Sequence, residues 1–137
     1  MTSSVGRGPQ QIWIAYNDAA NRGAHDLAAA YIAPDLTVLV NGHPAIASAE
    51  DDRAVQSELI RCYPDYSRSY EYGIEDGDRA AIEWRMRGTP ADGVDLPALD
   101  VSGCSLLRCA EGRIVEARLY HPPGALDRVA DRALGRG

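Results

Sequence analysis

Apolar residues in the first part of the chain recur at the three- and four-residue spacing of helices. The first run follows Pro9, which suits the first turn of a helix, and it ends at Gly23. Its apolar positions are Ile12, Trp13, Tyr16, Ala19 and Ala20. A second, shorter run begins at Asp26 and ends at Pro34. This spacing predicts two consecutive helices at the start of the chain.

A strand and a third helix follow these two helices. Residues 36–40 are mostly apolar and β-branched, which predicts a buried strand leading into a turn at residues 41–44. Ser48, with Asp51 three residues later, resembles a capping box and predicts the next helix start. That helix ends before Pro64, and its apolar positions are Val55, Leu59 and Cys62.

From residue 66 onward the apolar positions alternate instead of following a helix. The predicted strands are residues 66–75, 79–88, 98–109 and 113–121, and turn-forming residues separate them. Residues 125–134 predict a C-terminal helix. The order of elements predicts an α+β domain, with three N-terminal helices packed on one face of a curved antiparallel sheet.

The length and charge of the chain narrow the function classes. Its 137 residues suffice for one domain over residues 9–124, preceded by a disordered stretch at 1–8 and followed by a helix and tail at 125–137. All 14 basic residues are arginines, which excludes Schiff-base and P-loop lysines. The net charge of −6 and the scattered arginines argue against nucleic acid and membrane partners. A small-molecule pocket is the remaining expectation.

The histidines and cysteines show no metal-binding or disulfide spacing. They are His25, His43, His121, Cys62, Cys104 and Cys109. An odd number of cysteines without a CxxC pair predicts a reducing, cytoplasmic setting, and we expect neither a metal nor a cofactor. The N-terminus lacks an apolar signal segment, and no stretch approaches the roughly 20 apolar residues of a membrane span, so we expect a soluble, unprocessed chain.

Several segments, spread over residues 10 to 121, carry a resemblance to a known superfamily. They are residues 21–34 with the following Asp35-Leu36-Thr37-Val38, then Tyr63-Pro64-Asp65, EDGDRAAIEWRMRGT at 75–89, and LLRCAEGRIVEARLY at 106–120. In order and spacing, the chain resembles the NTF2-like superfamily, within the branch of ketosteroid isomerases and SnoaL-like polyketide cyclases. The resemblance implies a cone-shaped cavity between the helices and the concave sheet face, and a homodimer.

The resemblance also points to individual positions. Tyr16 falls where the isomerases hold a tyrosine that hydrogen-bonds a dienolate oxygen. The isomerase general base falls on Val40, and the acid that partners the tyrosine falls on Ser105. The aspartate typical of the cyclases falls on Leu119. An isomerase without its base lacks the proton shuttle, so the sequence disfavours steroid-type double-bond migration.

Four residues are candidates for proton chemistry. His121 shares a strand face with Ala117 and Leu119 and is our first candidate acid/base, although a solvent-exposed strand end would also explain it. Tyr16 is the candidate hydrogen-bond donor, with an ordinary core tyrosine as the alternative, and His43 is the second candidate acid/base. Asp100 is a reserve acid, which requires a bulge at Gly103 to turn it inward.

The other expected pocket residues come from strand alternation, the predicted turn and the resemblance. Trp84 shares an inward face with Ala80, Ile82 and Met86, and it is either an aromatic pocket wall or plain core. The full set of predicted substrate-binding residues is Trp84, Asn41, Ser105, Leu119, Val40 and Tyr63.

The sequence therefore leads to three functional hypotheses. The first is a cofactor-independent cyclase or isomerase of secondary metabolism, which closes a ring in an apolar, oxygen-rich polyketide-type intermediate by acid/base chemistry. The second is formation of an oxygen heterocycle by attack on an epoxide or enone, or a dehydratase. The third is a ligand-binding module whose cavity performs no chemistry.

Overall fold

The computed structural model describes residues 8–136. The predicted disorder at residues 1–8 falls, apart from Gly8, outside the described residues. The helices are α1 (Pro9–Asn21), α2 (His25–Ala29), α3 (Ala49–Cys62) and α4 (Ala125–Ala133). The strands are β1 (Ile32–Val40), β2 (His43–Ile46), β3 (Ser67–Asp76), β4 (Arg79–Gly88), β5 (Leu99–Ala110) and β6 (Arg113–Tyr120). None of the helices in this range is long and apolar enough to cross a membrane.

The six strands form one sheet in the order β2-β1-β6-β5-β4-β3. The α+β class with helices packed on the sheet is confirmed. The sheet is mixed, however, because β1 and β6 pair in parallel, whereas the other neighbours are antiparallel. A parallel pair needs a long connection, and here the whole chain between β1 and β6 provides it. The expectation of an entirely antiparallel sheet was therefore wrong at this one pair.

The chain around β1 differs from the prediction at both ends of the strand. Strand β1 begins at Ile32, so Pro34 lies inside it and does not end the second helix. The pairing of β1 with β6 is interrupted between Ile32 and Thr37. Pro34 is tolerated there because its missing N–H removes no hydrogen bond between the strands. The predicted turn at 41–44 is a two-residue turn, with Asn41 at φ 51° and Gly42 at φ 85°. Two consecutive residues with positive φ favour a tight hairpin, and β2 therefore begins at once.

Helix α3 begins where the sequence predicted. The Ser48 hydroxyl accepts a hydrogen bond from the Asp51 backbone N–H at 3.1 Å, and the Asp51 carboxylate accepts one from the Ala47 N–H at 3.1 Å. Asp52 also lies in this first turn, where the helix dipole favours a negative charge. The cap fixes where the helix starts and thereby which of its residues face the sheet.

The core lies between the helices and the inner sheet face. Strand β4 buries Ala80, Ile82, Trp84 and Met86, as alternation predicted. Strand β3 departs from strict alternation, because its register shifts between Tyr70 and Tyr72. Arg68 comes before this bulge, opposite Met86, and is buried on the inner face.

Candidate active site

An interior cavity of about 120 Å³ lies between the helices and the inner face of the sheet. Most of its wall is apolar, with Leu36, Val38 and Leu59 among the lining residues. The polar and titratable residues that line it are Tyr16, Asp52, Gln56, Arg68, Ser105 and His121. An apolar cavity of about 150 Å³ is known to accept benzene, so this one has room for about one six-membered ring.

Tyr16 and Asp52 form a hydrogen-bonded pair in the cavity wall. The Tyr16 hydroxyl donates to Oδ2 of Asp52 at 2.7 Å. Burial raises the pKa of the Asp52 carboxyl, against the smaller lowering effects of this hydrogen bond and of the Arg68 charge. Burial and the negative charge of Asp52 likewise raise the pKa of Tyr16 well above its usual value. A desolvated carboxylate whose pKa moves toward neutrality is suited to accept a proton.

Helix α3 presents two polar residues on its otherwise apolar inward face. Asp52, Val55, Gln56 and Leu59 follow helical spacing, and all four line the cavity. Oε1 of Gln56 is buried and has no hydrogen-bond partner among residues 8–136. Sequence analysis missed Asp52 and Gln56, although Asp52 stands three residues before Val55 and seven before Leu59, which was the available signal.

Arg68 is held in place by the side chains of α1. Its Nε donates to Oδ1 of Asn17 at 2.7 Å, and Asn17 and Asn21 both donate to its backbone oxygen, at 2.8 and 2.9 Å. Asn21 also accepts from the Arg68 N–H at 2.9 Å. The guanidinium carbon lies 4.7 Å from the centre of a Trp13 ring. The sequence signal that was missed is a pair of asparagines four residues apart on α1, which both bond to Arg68.

His121 lies where alternation placed it, on the cavity wall beyond the end of β6. It lines the cavity together with Ala117 and Leu119, and only 9% of it is exposed. Its Nδ1 is 2.8 Å from the backbone oxygen of Pro122, and because a carbonyl only accepts, Nδ1 carries the proton. Nε2 is therefore left with a lone pair that can accept a proton.

A surface groove of about 490 Å³ adjoins the cavity. Both are lined by Val40, Ala45, His121, Leu126 and Ala130. The opening of the cavity therefore lies between the β1–β2 hairpin and α4. His121 stands at the boundary between the interior and the groove.

His43 and Asn41 line the groove and not the interior cavity. His43 is exposed, so its predicted acid/base role does not extend to the interior. The Asn41 side chain donates to the His121 backbone oxygen at 3.0 Å and accepts from its N–H at 3.1 Å. Asn41 therefore positions His121, instead of offering its amide to a substrate as predicted.

Asp100 does not reach the cavity, and its reserve role as an acid was wrong. The pairing of β4 with β5 runs in continuous register from Arg79 to Gly88, so there is no bulge at Gly103 to turn Asp100 inward. Its carboxylate is exposed on the other face and accepts two hydrogen bonds from Arg85, both at 2.8 Å. The Arg85 guanidinium accordingly lowers the pKa of Asp100.

Two predicted pocket residues serve the core instead. Trp84 is buried on the inner face as predicted, but it lies outside the cavity lining, and its Nε1 donates to Ser105 Oγ at 2.8 Å. Tyr63 is also outside the lining, because it is buried at the end of α3 and donates to the Pro97 oxygen at 2.7 Å. Ser105, Val40 and Leu119 do line the cavity.

The residues that the structure describes include no cluster of three or more His, Cys, Asp or Glu side chains that could hold a metal ion. The polar side-chain groups that line the cavity instead include one carboxyl, one phenol, one amide, one guanidinium, one hydroxyl and one imidazole. This set can bind oxygen atoms and move protons.

The α+β architecture, with its cavity between helices and sheet, is that of the NTF2-like proteins. A family model for the SnoaL-like domain matches residues 13–117, and the chain therefore belongs to the SnoaL-like domain family. No curated protein sequence matches this chain. The resemblance inferred from the sequence is confirmed.

Three solved structures illustrate the similarity. A candidate SnoaL-like polyketide cyclase from Jannaschia sp. CCS1 superposes with a TM-score of 0.70 and 19% identity, covering 88% of this chain and 90% of that chain. A candidate ketosteroid isomerase from Kribbella flavida gives 0.65 and 20%, covering 85% and 79%. AclR, a candidate hydroxylase from Streptomyces galilaeus, gives 0.72 and 16%, covering 90% and 96%. At these identities the likeness establishes the fold alone.

The resemblance assigns carboxylates to three positions, and in this chain none of the three carries one. These positions, Val40, Ser105 and Leu119, do line the cavity. The carboxyl in this cavity belongs to Asp52, on helix α3 rather than on a strand. Any proton transfer by a carboxylate here must therefore start from the opposite layer of the fold.

The raised pKa of Asp52 has a consequence for stability. The folded state keeps a proton on Asp52 at pH values where the unfolded chain has released it, so stability is lost as pH rises through the folded pKa. We expect Asp52→Asn to raise the melting temperature at neutral pH, and to raise it progressively less as pH falls toward the ordinary aspartate value of about 3.9. Melting curves across this range test it, with Glu50→Gln, an exposed change in the same helical turn, as the control. A variant that is less stable than the parent at neutral pH would contradict the prediction.

Proposed function

We propose that this protein is a cofactor-independent cyclase or isomerase that removes a proton next to a carbonyl group in an apolar, oxygen-rich substrate. One observation carries the proposal. Asp52 presents a desolvated carboxyl to an apolar cavity, with Oδ2 held by Tyr16 and Oδ1 without a hydrogen bond to any of residues 8–136. A fixed carboxylate with one open oxygen is the geometry of a general base.

The Tyr16–Asp52 pair supports both halves of a proton transfer. When Asp52 Oδ1 takes the proton, the C–H bond of the substrate breaks and its electron pair stays on the substrate, which becomes an enolate. The neutral Asp52 then holds the hydrogen of Tyr16 less strongly than the carboxylate did, because charge-assisted hydrogen bonds are roughly twice as strong as neutral ones. Tyr16 is then able to donate to the enolate oxygen, which is the role that the resemblance implied for it.

His121 supplies the proton that completes an aldol-type ring closure. The enolate carbon attacks a second carbonyl carbon, and the oxygen of that carbonyl takes a proton from protonated His121 Nε2. Asp52 returns its proton to solvent and His121 regains one there, so no hydrogen is gained or lost overall. The place of His121, between cavity and groove, supports this exchange with solvent.

The dimensions of the site favour a substrate larger than the cavity. The interior has room for about one six-membered ring. The adjoining groove of about 490 Å³ can hold the remainder of a polyketide-type intermediate. A polyketide-type intermediate of secondary metabolism, the substrate class named for the candidate cyclase from Jannaschia, is therefore the substrate that we propose. The homodimer implied by the resemblance stays a prediction, which the oligomeric state in solution tests.

Gln56 favours oxygen-heterocycle formation as a second candidate. Its Oε1 is buried and has no partner within the described chain, so it offers an acceptor for a substrate hydroxyl. The same Asp52 would then take the hydroxyl proton while the oxygen attacks an epoxide carbon, whose C–O bond breaks, or the β-carbon of an enone. The epoxide oxygen or the enolate carbon then takes up the proton that Asp52 releases, so no hydrogen is gained or lost. Turnover of a hydroxy-epoxide or hydroxy-enone, without exchange at the carbon next to a ketone, would favour this candidate.

Deuterium incorporation tests the proposed proton removal without knowledge of the natural substrate. The protein is incubated in D₂O with cyclohexanone and with 1-tetralone, and exchange next to the carbonyl is followed by NMR. We expect exchange faster than in buffer alone for the ketone that fits. Binding of both ketones without added exchange would instead identify a module that binds ligands and performs no chemistry.

A His121→Gln variant separates the two steps of the proposal. Because glutamine cannot shuttle a proton, we expect ring closure of a polyketide-type diketone to slow by about 10²-fold. Deuterium exchange should remain near the parent rate, since Asp52 performs that step. Equal loss of both activities would show that His121, and not Asp52, removes the proton.

A further inference from the structure

Arg68 is a buried cation without an acidic partner among residues 8–136. Only 6% of it is exposed, it lines the cavity, and it has no ion pair with the carboxylates of residues 8–136. A buried charge is costly unless something pairs with it. The two charges of the cavity wall, Arg68 and Asp52, influence one another without forming a salt bridge.

The contacts of Arg68 leave one end of its guanidinium open. Nε is occupied by Asn17, and aromatic rings of Trp13, Tyr16 and Trp84 lie within 4.7 to 5.9 Å of the guanidinium carbon. The two terminal nitrogens make no hydrogen bond to the part of the chain that the structure describes. These nitrogens present parallel N–H groups, the arrangement that binds two oxygens of a planar anion.

We propose that Arg68 is the binding site for a delocalised oxygen anion of the substrate, either a carboxylate or the enolate of a 1,3-dicarbonyl group. The proposal rests on the proposed function in one respect, since it assigns the substrate of that same cavity. It adds that the substrate carries an anionic oxygen group in addition to the carbonyl next to which the proton is removed. The hydrogen bond that Arg68 Nε donates to Asn17 holds the guanidinium in place before the substrate arrives, which lowers the ordering cost of binding. Asn17 and Asn21 also fix the Arg68 backbone.

A bound anion changes the proton balance of the cavity. The titratable or charged groups that face Arg68 are Tyr16 of α1, Asp52 of α3, Tyr66 before β3, and His121 after β6. Asp52 is the acidic group among them, and a second negative charge in the same cavity disfavours its ionised form. At a pH where Asp52 is partly ionised, anion binding should therefore be accompanied by proton uptake at Asp52, and the molecules in which Asp52 stays ionised are those that can remove a substrate proton.

Titration calorimetry with two ligands of nearly equal shape tests the anion site. Benzoate carries the carboxylate and benzamide is its neutral counterpart; trifluoroacetylacetone, whose open chain lets both enolate oxygens face the same way, is compared with pentan-2-one to test the enolate. We expect benzoate or the dione anion to bind at least about 10-fold more tightly than its neutral partner, as charge-assisted hydrogen bonds imply. Whichever anion shows the larger preference identifies the source. Equal binding within both pairs would overturn the proposal.

Variants assign the effect to Arg68. Arg68→Gln should weaken anion binding by about 10- to 100-fold and change benzamide binding by less than about 3-fold. The matched control is Arg87→Gln, which removes one arginine from an exposed position of β4. If Arg68→Gln does not fold, the comparison between ligands on the unchanged protein still decides, and Arg68→Lys provides a variant that keeps the charge. Loss of anion preference in the Arg87 variant alone would also overturn the proposal.

Asp52→Asn distinguishes this proposal from the proposed function. Calorimetry in two buffers of different ionisation enthalpy should show proton uptake with benzoate in the parent and none in Asp52→Asn, whereas anion preference persists in both. Anion preference without any deuterium exchange in the parent would uphold the Arg68 site and reject the proposed catalysis. Exchange without anion preference would do the reverse, and Arg68 would then serve only to join α1 to β3.

Discussion

Asp52→Asn is expected to lower the rate of deuterium exchange next to the substrate carbonyl by about 10²- to 10⁴-fold, the usual contribution of a general base. Asparagine has the same shape and can still accept the hydrogen bond that Tyr16 gives to Oδ2 at 2.7 Å. It has no oxygen that can hold a proton, so the Tyr16 contact remains while the base is removed. NMR of the ketone in D₂O provides the measurement.

Two further variants make this result interpretable. Glu50→Gln removes a carboxylate from an exposed position in the same helical turn and should leave exchange unchanged. Tyr16→Phe keeps Asp52 but removes its donor, and we expect a smaller loss than in Asp52→Asn. Full exchange in Asp52→Asn would mean that His121 is the base of the cavity.

The second large effect is expected on stability, from Asn17→Ala. Asn17 is buried, and its side chain accepts from Arg68 Nε at 2.7 Å and donates to the Arg68 oxygen at 2.8 Å. Its removal leaves a buried guanidinium nitrogen without a partner, which costs about 3 kcal/mol. Urea unfolding at neutral pH should therefore show a lower midpoint with an unchanged slope.

Asn21→Ala is the matched control for this loss. Asn21 bonds only to the backbone N–H and oxygen of Arg68, and it is exposed, so water can replace it. We expect a cost of about 1 kcal/mol. Equal destabilisation of the two variants would mean that the hydrogen bond from Arg68 Nε to Asn17 does not stabilise the buried guanidinium.

The two charged groups of the cavity wall lower stability while they supply the proposed chemistry. Asp52 and Arg68 both carry desolvation costs, because they lie in an apolar cavity without a mutual salt bridge. Replacement by well-packed apolar residues often stabilises a protein. A hydrogen bond with Tyr16 fixes Asp52, and one with Asn17 fixes Arg68. A preorganised site requires such fixed side chains.

The local elements of the fold were predictable from the sequence. The four long strands, the cap of α3 at Ser48 and the placement of His121 beside Ala117 and Leu119 depend on the alternation or spacing of neighbouring residues. The short strand β2 was missed because the turn is tighter than predicted. The sequence is compatible with several turn types, and the positive φ values at Asn41 and Gly42 select a two-residue turn, which leaves His43 and Pro44 to the strand.

The site itself was predicted only in part, because a cavity collects residues that are distant in the chain. Tyr16 and Asp52 are 36 residues apart, and Asn17 and Arg68 are 51 apart. Such pairs depend on how α1 and α3 pack against the sheet, which no local spacing encodes. Asp100, by contrast, was a candidate acid from the sequence, but in the structure its carboxylate pairs with Arg85 of the neighbouring strand, away from the cavity.

The sequence by itself determined the α+β class, the family resemblance and the absence of carboxylates at Val40, Ser105 and Leu119, because these follow from residue types in a fixed order. Only the tertiary structure decided that Asp52 and Arg68 enter the same cavity. The physical reason is that packing between the layers of the fold creates the burial, which raises the pKa of Asp52 and desolvates the charge of Arg68.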